Sequence, residues 1–316
     1  MAINRVVRAA LKKLSTAEID IVKNYEAVRF FNNITHPSIR KPGKTFDSKI
    51  ILDDCELPVR IFTPKHRKTN EVILFFHGGG WISGSLDSYT KTCYELCKQT
   101  GRLVISVAYR LAPEFPFPFA LEDCYRAARA IYQNQAAKGT KADNIILVGD
   151  SAGGNLAAAV SLMAAELNEF KVEKQILIYP VTYNDHSTTS PFPSVKENGT
   201  DYLLTAKNII EYTELYVQDE KNLTNPYFAP LVSEDLSNQP KTLIITAQYD
   251  PLRDEGEAYG EKLKKFGNQV QTIRISDALH GFISLPARFS QVKKCYNSIN
   301  LFLDEVETLE NKLEQT

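Results

Sequence analysis

The chain has 316 residues, with 37 basic and 38 acidic side chains and a net charge of −1 at pH 7. A chain of this length buries about 75% of the surface that its unfolded form exposes, so its stability does not require disulfides or a structural metal. The balanced charge excludes the basic face expected of a nucleic-acid binder, and the absence of a run of about 18 apolar residues argues against a membrane-spanning helix.

The N-terminus and the cysteines indicate the compartment. Residues 2–32 are predicted to be helical, because apolar residues such as Ile3, Val7 and Leu14 recur at helical spacing opposite basic residues. We expect this amphipathic helix to pack on its own domain rather than to insert stably into a membrane. No apolar segment with a small-residue cleavage site follows it, so no secretory signal is predicted. The five cysteines are odd in number and lack matched metal-binding pairs, which indicates reduced thiols in a cytoplasmic protein.

From residue 48 the hydrophobic pattern changes to short strands. Two antiparallel strands are predicted at 48–52 and 57–62, and strand and helix signals alternate after them. Apolar strands separated by helices are typical of a mostly parallel sheet that is covered on both faces. We therefore predict an α/β fold with a central sheet of about eight strands flanked by helices. The later strands are predicted at 72–76, 103–108, 145–148, 175–178, 242–246 and 270–275, and helices at 121–133, 152–167 and 257–266.

One interval interrupts this alternation. About sixty residues separate the strand ending at Ile178 from the strand beginning at Thr242, and they include a helical stretch at 206–217. Such an interval is too long for a simple crossover between neighbouring strands. It is predicted to be an insertion that lies above the sheet.

The residues 149–153 read Gly-Asp-Ser-Ala-Gly and fit the pattern G-x-S-x-G. The pentapeptide follows a predicted apolar strand and begins the helix 152–167, the context in which such a serine occupies a sharp elbow with its Oγ exposed above the sheet. The N-terminus of the helix also favours a developing negative charge. Ser151 is the predicted nucleophile.

A second glycine-rich segment, residues 77–81, reads His-Gly-Gly-Gly-Trp and follows the predicted strand 72–76. It fits neither a dinucleotide fingerprint nor a P-loop. The backbone N–H groups of this loop can face an anion. Together with the N–H group of Ala152, those of Gly78, Gly79 and Gly80 are predicted to form an oxyanion hole. We expect His77 to fix the loop by hydrogen bonding rather than to act as the base.

The serine needs a base and an acid. Of the five histidines, His280 lies just after the predicted strand 270–275, at the carboxyl edge where open α/β sheets place their sites, and it completes the order serine, acid, histidine. Of the aspartates between Ser151 and His280, only Asp250 directly follows a strong strand, with Asp254 and then Asp277 as alternatives. Along the chain, the order serine, acid, histidine is the one expected when the nucleophile lies in such a strand-to-helix elbow.

Together, these segments resemble the hormone-sensitive lipase family of esterases, which has the α/β-hydrolase fold. The matching stretches are HGGGW at 77–81, YRLAPE at 109–114, GDSAGG at 149–154, DPLRDE at 250–255 and HGF at 280–282. The resemblance implies the triad Ser151, Asp250 and His280. It also implies a structural role for Arg110 and Glu114.

The resemblance further implies a helical cap. A single domain of residues 1–316 is expected, in which segments of about 1–45 and 183–228 form a cap over a core of 46–182 and 229–316. Aromatic residues of the cap, together with Trp81, are candidates for the substrate pocket or for ordinary packing. They are Phe30, Phe31, Phe192, Tyr202 and Tyr212.

The predicted activity is hydrolysis of short- to medium-chain carboxylic esters through an acyl-enzyme, with no metal or organic cofactor. An amidase or peptidase would use the same triad. A non-catalytic small-ligand receptor on this scaffold is less consistent with the sequence, because His280 stands at the catalytic position. The expected partner is a small-molecule ester, without nucleic acid, and the oligomeric state, a homodimer included, stays open.

Overall fold

The computed structural model describes residues 20–35, 43–52, 55–133 and 144–313. Its strands form one eight-stranded sheet in the order β1-β2-β4-β3-β5-β6-β7-β8. The pairs β1–β2 and β2–β4 are antiparallel, and the other neighbouring strands are parallel. The strands are β1 Lys44–Ile51, β2 Glu56–Thr63, β3 Val72–Phe76, β4 Leu103–Val107, β5 Ile145–Asp150, β6 Lys174–Ile178, β7 Lys241–Tyr249 and β8 Val270–Leu279.

Helices flank this sheet, as the alternating pattern predicts, and the α/β fold class is confirmed. The helices are α1 Ile21–Thr35, α2 Thr90–Thr100, α3 Phe119–Tyr132, α4 Ala152–Leu167, α5 Pro193–Asn198, α6 Ala206–Tyr216, α7 Arg253–Lys265 and α8 Ser290–Leu313. Sequence reasoning did not predict α5 or α8. Of the helix predicted at 2–32, residues 2–19 lie outside the described part of the chain. No helix in the described part is both long and apolar enough to cross a bilayer.

The central strands β3, β4, β5 and β6 are buried along their whole length and are mostly apolar, as expected of strands with both faces covered. In β3, Val72, Leu74 and Phe76 pack in the core layer that includes α3, α4 and α7. Ile73 and Phe75 point to the opposite layer, which includes α2 and α8. The period of two along a strand therefore divides one apolar run between two cores.

Strand β8 is longer than the sequence predicts. It continues to Leu279 across an irregularity in its pairing with β7, where Ala247 pairs with Ile275 but Tyr249 pairs with Leu279. The two extra residues of β8 bend the strand, as a β-bulge does. Asp277 lies in this bulge with a φ of 57°. As a result, β7 and β8 end opposite each other.

Helix α1 is attached to the core through Arg29. The guanidinium of Arg29 donates to both carboxylate oxygens of Glu114 at 2.9 Å, to the carbonyl of Ile82 at 2.8 Å and to the carbonyl of Ala112 at 2.9 Å. The Ile21 N–H, at the start of the same helix, lies 3.4 Å from a carboxylate oxygen of Glu211 on α6. Glu114 is therefore structural, as expected. Arg110 is structural as well, since it forms paired hydrogen bonds with the buried Asp123.

We predict that Arg29→Ala detaches α1 from the core. Amide hydrogen exchange over residues 21–35 should accelerate by about 10- to 100-fold, the factor expected when hydrogen bonds to a charged group are lost. Lys23→Ala is the matched control, because Lys23 lies on the same helix but pairs only with the exposed Asp20. Unchanged exchange in Arg29→Ala would show that other contacts hold the helix.

Candidate active site

Strand ends converge on one edge of the sheet. Because β3, β5, β6, β7 and β8 are parallel, their carboxyl ends lie at the same edge. Gly149 of β5 pairs with the last residue of β3, and Tyr249 pairs with Leu279. The residues that follow these strands are the predicted oxyanion loop, Ser151, Asp250 and His280, so the register brings all four together.

Ser151 occupies a strained turn between β5 and α4, with a φ of 55° and a ψ of −121°. Few non-glycine residues adopt this backbone conformation, and its cost points to a function. A Cβ at Gly149 would lie 2.1 Å from the carbonyl oxygen of Gly153, and a Cβ at Gly153 would lie 2.1 Å from the carbonyl oxygen of Phe76. Glycine is therefore required on both sides of the serine, since any side chain would collide with backbone.

His280 lies between Ser151 and Asp250. Its Nε2 is 2.8 Å from Ser151 Oγ, and its Nδ1 is 2.7 Å from Asp250 Oδ2. The imidazole is 12% exposed and the Asp250 carboxyl is fully buried. The ring of Tyr179 packs against the imidazole with 4.7 Å between ring centroids. The three residues therefore form one continuous hydrogen-bonded chain that reaches solvent at the serine end.

The Asp250 carboxyl is held by the start of the segment that follows it. The carboxylate Oδ1 accepts the Leu252 N–H at 2.9 Å. The backbone carbonyl oxygen of Asp250 accepts a hydrogen bond from the side-chain amide of Asn198 at 3.2 Å. The two alternative acids lie elsewhere. Asp254 accepts the Ser194 N–H on α5 and pairs with Arg253, and Asp277 lies in the β8 bulge.

The same segment anchors the insertion. The Glu255 carboxyl is fully buried and accepts the Thr182 and Tyr183 N–H groups at 2.7 and 3.2 Å. Its other oxygen lies 2.6 Å from Nε2 of the buried His186. With Asp254 bound to Ser194, two consecutive carboxylates at the start of α7 hold two points of the insertion against this helix.

The glycine-rich loop divides its N–H groups between two uses. The Gly78 N–H donates to Asp150 Oδ1 at 2.8 Å and lies 3.1 Å from the Tyr89 hydroxyl. It is therefore already occupied, and the prediction that Gly78 donates to an oxyanion is wrong. Within the described residues, the N–H groups of Gly79, Gly80 and Ala152 have no acceptor in the protein, and they border the same cavity or begin α4 beside it.

His77 is structural, as expected. It is 1% exposed, and its ring stacks on Tyr109 with 4.3 Å between centroids. The Tyr109 hydroxyl donates to the His77 carbonyl at 2.6 Å. Burial lowers the pKa of His77 to about 4. The imidazole is therefore neutral near pH 7, and its Nδ1 lies 2.9 Å from the Gly78 carbonyl oxygen of the same loop.

A cavity of about 170 Å³ opens above Ser151. One wall is the Tyr212 ring of α6, which packs so closely on the oxyanion loop that a Cβ at Gly80 would lie 2.6 Å from the ring. Among the described residues that line it, the ionisable side chains are those of Asp150, His280, Tyr89 and Tyr212. Its apolar lining residues are Trp81, Val181, Leu204, Ile209 and Leu252.

The predicted pocket aromatics fall into three groups. Tyr212 and Trp81 line the cavity. Trp81 is only 1% exposed, and its ring stacks on the Tyr216 ring with 4.6 Å between centroids.

The other predicted pocket aromatics do not line the cavity or are not described. Tyr202 lies outside the lining, and its ring stacks on Tyr249 with 5.0 Å between centroids. Phe30 is 62% exposed and also lies outside the lining. The Phe31 side chain is outside the described residues, and Phe192 packs on Tyr183.

Sequence reasoning missed three polar residues beside the serine: Asp150, Tyr89 and Tyr179. Both tyrosine hydroxyls donate to Asp150 Oδ2, at 3.0 and 3.3 Å. Burial raises the pKa of Asp150 to about 6, although hydrogen bonds from Gly78 and Tyr89 oppose the increase. An aspartate that ends an otherwise apolar strand was the available signal in the sequence.

Comparison with known proteins identifies the family of this chain. The model of a family with the alpha/beta hydrolase fold matches residues 73–284. The chain belongs to this α/β-hydrolase family. The predicted resemblance to hormone-sensitive-lipase-like esterases and the prediction of a carboxylic ester hydrolase are both confirmed.

Several members of the α/β-hydrolase family are similar to this chain over most of their length. An arylesterase of Saccharolobus solfataricus is 41% identical over 251 residues, which cover 79% of this chain and 80% of the relative. An ethyl acetate hydrolase of Pseudomonas putida is 35% identical over 237 residues, which cover 74% of this chain and 73% of the relative. A solved hyperthermophilic esterase from the archaeon Pyrobaculum calidifontis superposes with a TM-score of 0.82 at 32% identity, over 97% of this chain and 99% of that chain.

Proposed function

We propose that this esterase hydrolyses small, uncharged carboxylic esters through Ser151, His280 and Asp250 and a covalent acyl-enzyme. The observation that carries the proposal is the position of the His280 imidazole, with one nitrogen 2.8 Å from Ser151 Oγ and the other 2.7 Å from Asp250 Oδ2. A nucleophile, a base and an orienting acid within hydrogen-bonding distance are the signature of nucleophilic catalysis.

The roles follow from which groups can donate a proton. An ionised Asp250 only accepts hydrogen bonds, so His280 Nδ1 carries a proton and Nε2 is free to accept from Ser151 Oγ. When Oγ attacks the ester carbonyl, its proton moves to Nε2, and Asp250 stabilises the imidazolium. The imidazolium then protonates the departing alcohol. Water, deprotonated by the same nitrogen, hydrolyses the acyl-enzyme and restores Ser151.

The N–H groups of Gly79, Gly80 and Ala152 are the donors to the oxyanion. They lack acceptors within the described residues, and the Ala152 N–H is at the N-terminus of α4, where the helix dipole favours negative charge. Donors that are already in place when charge develops on the carbonyl oxygen stabilise the transition state more than the ground state. Two glycines and one alanine thus supply this stabilisation without using a side chain.

The cavity supports esters with short to medium acyl chains. Its volume of about 170 Å³ is small, and aliphatic and aromatic side chains form most of its wall. Leu204, Ile209 and Tyr212 belong to the insertion, so that segment covers the serine and helps to set the length of the bound chain. We propose that α1, which contacts α6 through Ile21 and Glu211, completes this cap.

The alternative of a non-catalytic receptor is disfavoured because His280 is present and bonded to both partners. Amide hydrolysis is separated from ester hydrolysis by comparing matched ester and anilide substrates. The cytoplasmic location stays a prediction, based on cysteines that form no disulfide.

We predict that Ser151→Ala retains the fold and lowers kcat by up to about 10⁶-fold, the scale of nucleophile loss in a serine protease. Circular dichroism checks the fold, and a fluorophosphonate should label the wild type at Ser151 but not the variant. A folded variant with near-normal turnover would rule out Ser151 as the nucleophile.

We predict that Asp250→Asn mainly lowers turnover, whereas Asp254→Asn mainly lowers thermal stability. Asp250→Asn should lower kcat on the order of 10⁴-fold, because the amide, which can also donate a hydrogen bond, no longer fixes the imidazole tautomer. Asp254→Asn weakens the contacts with Arg253 and Ser194, so it should lower the melting temperature and retain most of the turnover. If Asp254→Asn alone abolishes the activity of a folded protein, the acid has been assigned to the wrong residue.

We predict that Tyr212→Ala shifts the preferred ester towards longer acyl chains. In the wild type, kcat/KM should rise about fourfold per methylene, because each buried methylene contributes about 0.8 kcal/mol, and should fall once the cavity is filled. Removing the Tyr212 ring extends the cavity, so the maximum should move to a longer chain even if overall activity decreases. Phe30→Ala is the control, since that ring is exposed and outside the cavity lining. An unchanged maximum in Tyr212→Ala would place the chain elsewhere.

A further inference from the structure

Asp150 is a buried carboxyl next to the nucleophile that the reaction chemistry does not use. It is 2% exposed and is the last residue of β5. Its hydrogen-bond partners among the described residues are uncharged donors: the Gly78 N–H at 2.8 Å, the Tyr89 hydroxyl at 3.0 Å and the Tyr179 hydroxyl at 3.3 Å. Within the described residues no lysine or arginine pairs with it. A carboxylate buried among neutral donors is costly, so a function is expected for it.

The oxyanion loop lies directly on this carboxyl. A Cβ at Gly78 would lie 2.8 Å from Asp150 Oδ2 and 2.9 Å from the Tyr89 hydroxyl. Gly78 precedes the two glycines whose N–H groups are the proposed oxyanion donors. Because the peptide planes of a tight loop are linked, fixing the Gly78 N–H limits the directions in which the Gly79 and Gly80 N–H groups point.

The Asp150 carboxyl also contacts Tyr179, a residue that packs on the His280 imidazole. The Tyr179 hydroxyl donates to Asp150, and the Tyr179 ring packs on the His280 imidazole at 4.7 Å between centroids. Tyr179 has a φ of 36°, which is unusual for an aromatic residue. Asp150 thus contacts the oxyanion loop on one side and a support of the imidazole on the other.

We propose that Asp150 is a positioning residue, whose carboxylate, held by Tyr89 and Tyr179, fixes the Gly78 peptide and thereby aims the oxyanion donors at the carbonyl that Ser151 attacks. This inference rests on the proposed Ser151 mechanism. In such a role, the Asp150 carboxylate acts through the Gly78 peptide, and its effect appears only when the oxyanion forms.

The energetics distinguish positioning from a structural role. Burial raises the pKa of Asp150 to about 6, above that of an unfolded aspartate. The folded state therefore binds the proton more tightly, and wild-type stability is lost as pH rises through the interval from about 4 to about 6. At neutral pH the ionised carboxylate thus costs stability, so a neutral side chain of the same shape should stabilise the fold. A residue retained for structure alone would show the opposite.

The neighbouring titratable groups do not obscure this comparison. Burial raises the pKa values of the nearby phenols and thiols, so they stay neutral between about pH 5 and pH 8. His280 also acts on Asp150 electrostatically, but it is present in both the wild type and the variants. The groups around the carboxyl are Tyr89, Tyr109, Tyr179, Tyr296, Cys93, Cys295 and His280.

The central experiment is Asp150→Asn, in which the amide keeps the shape and one acceptor. We expect kcat/KM for a short ester to fall by about 10- to 100-fold, somewhat less than the loss of a complete oxyanion donor. A short-chain trifluoromethyl ketone, which Ser151 converts to an oxyanion, should bind more weakly by the same factor. The methyl ketone of the same chain should bind unchanged. The melting temperature at about pH 8 should equal or exceed that of the wild type, and this difference should shrink at about pH 5.

Two hydroxyl deletions test the supports of the carboxyl, and they apply even if Asp150→Asn fails to fold. Tyr89→Phe and Tyr179→Phe should each lower kcat/KM and trifluoromethyl ketone affinity by about 3- to 10-fold, since each removes one hydrogen bond to Asp150. Tyr259→Phe is the matched control. Its hydroxyl is fully buried and has no hydrogen-bond partner within the described residues, so activity should not change.

Two results would overturn the proposal. In the first, folded Asp150→Asn and both tyrosine variants keep kcat/KM and trifluoromethyl ketone affinity within about twofold of the wild type. In the second, activity falls in step with melting temperature and both ketones weaken equally, which is a structural effect. Fluorophosphonate labelling of Ser151 separates these results from failure of the mechanism, because a wild type without labelling would refute the nucleophile itself.

Discussion

Parallel strand pairing is the constraint on which the site depends. Tyr249 pairs with Leu279 at the ends of β7 and β8, so Asp250 and His280 leave the sheet as neighbours. The two additional residues of the β8 bulge are needed for this pairing, because without them the strand would end at a different point on β7. The contact between Asp250 and His280 is therefore fixed by backbone hydrogen bonds before any side chain takes part.

Close backbone approach is the second constraint, and it explains the glycines. Gly153 of α4 lies against the Phe76 carbonyl of β3, and Gly149 lies against the start of α4. Substitution at either position would push the nucleophile away from the oxyanion loop. The glycine-rich loop is held in turn by the Asp150 side chain, which accepts the Gly78 N–H. The backbone of Gly149 and Gly153 and the side chain of Asp150 therefore both keep Ser151 next to this loop.

The sequence predicts those parts of the proposed site that local patterns encode. Ser151 is a candidate because a strand, an elbow and a helix follow one another, and Asp250 and His280 are candidates because each follows the end of a strand. Gly78 was assigned wrongly because a glycine in a loop does not reveal where its N–H points. Tyr89 and Tyr179 come from segments far from the serine in sequence, and their contacts with Asp150 depend on tertiary packing. Phe30 and Tyr202 were named for their aromatic character, but neither lines the cavity.

Trp81 is the single tryptophan of the chain. It follows the oxyanion glycines, and its indole stacks on Tyr216 of α6 with the ring planes 6° apart. Its indole N–H has no partner within the described residues. The intrinsic tryptophan fluorescence of this enzyme therefore comes from one indole at the junction between the glycine-rich loop and α6. The protein carries a natural spectroscopic reporter of whether α6 lies on the loop, without any introduced label.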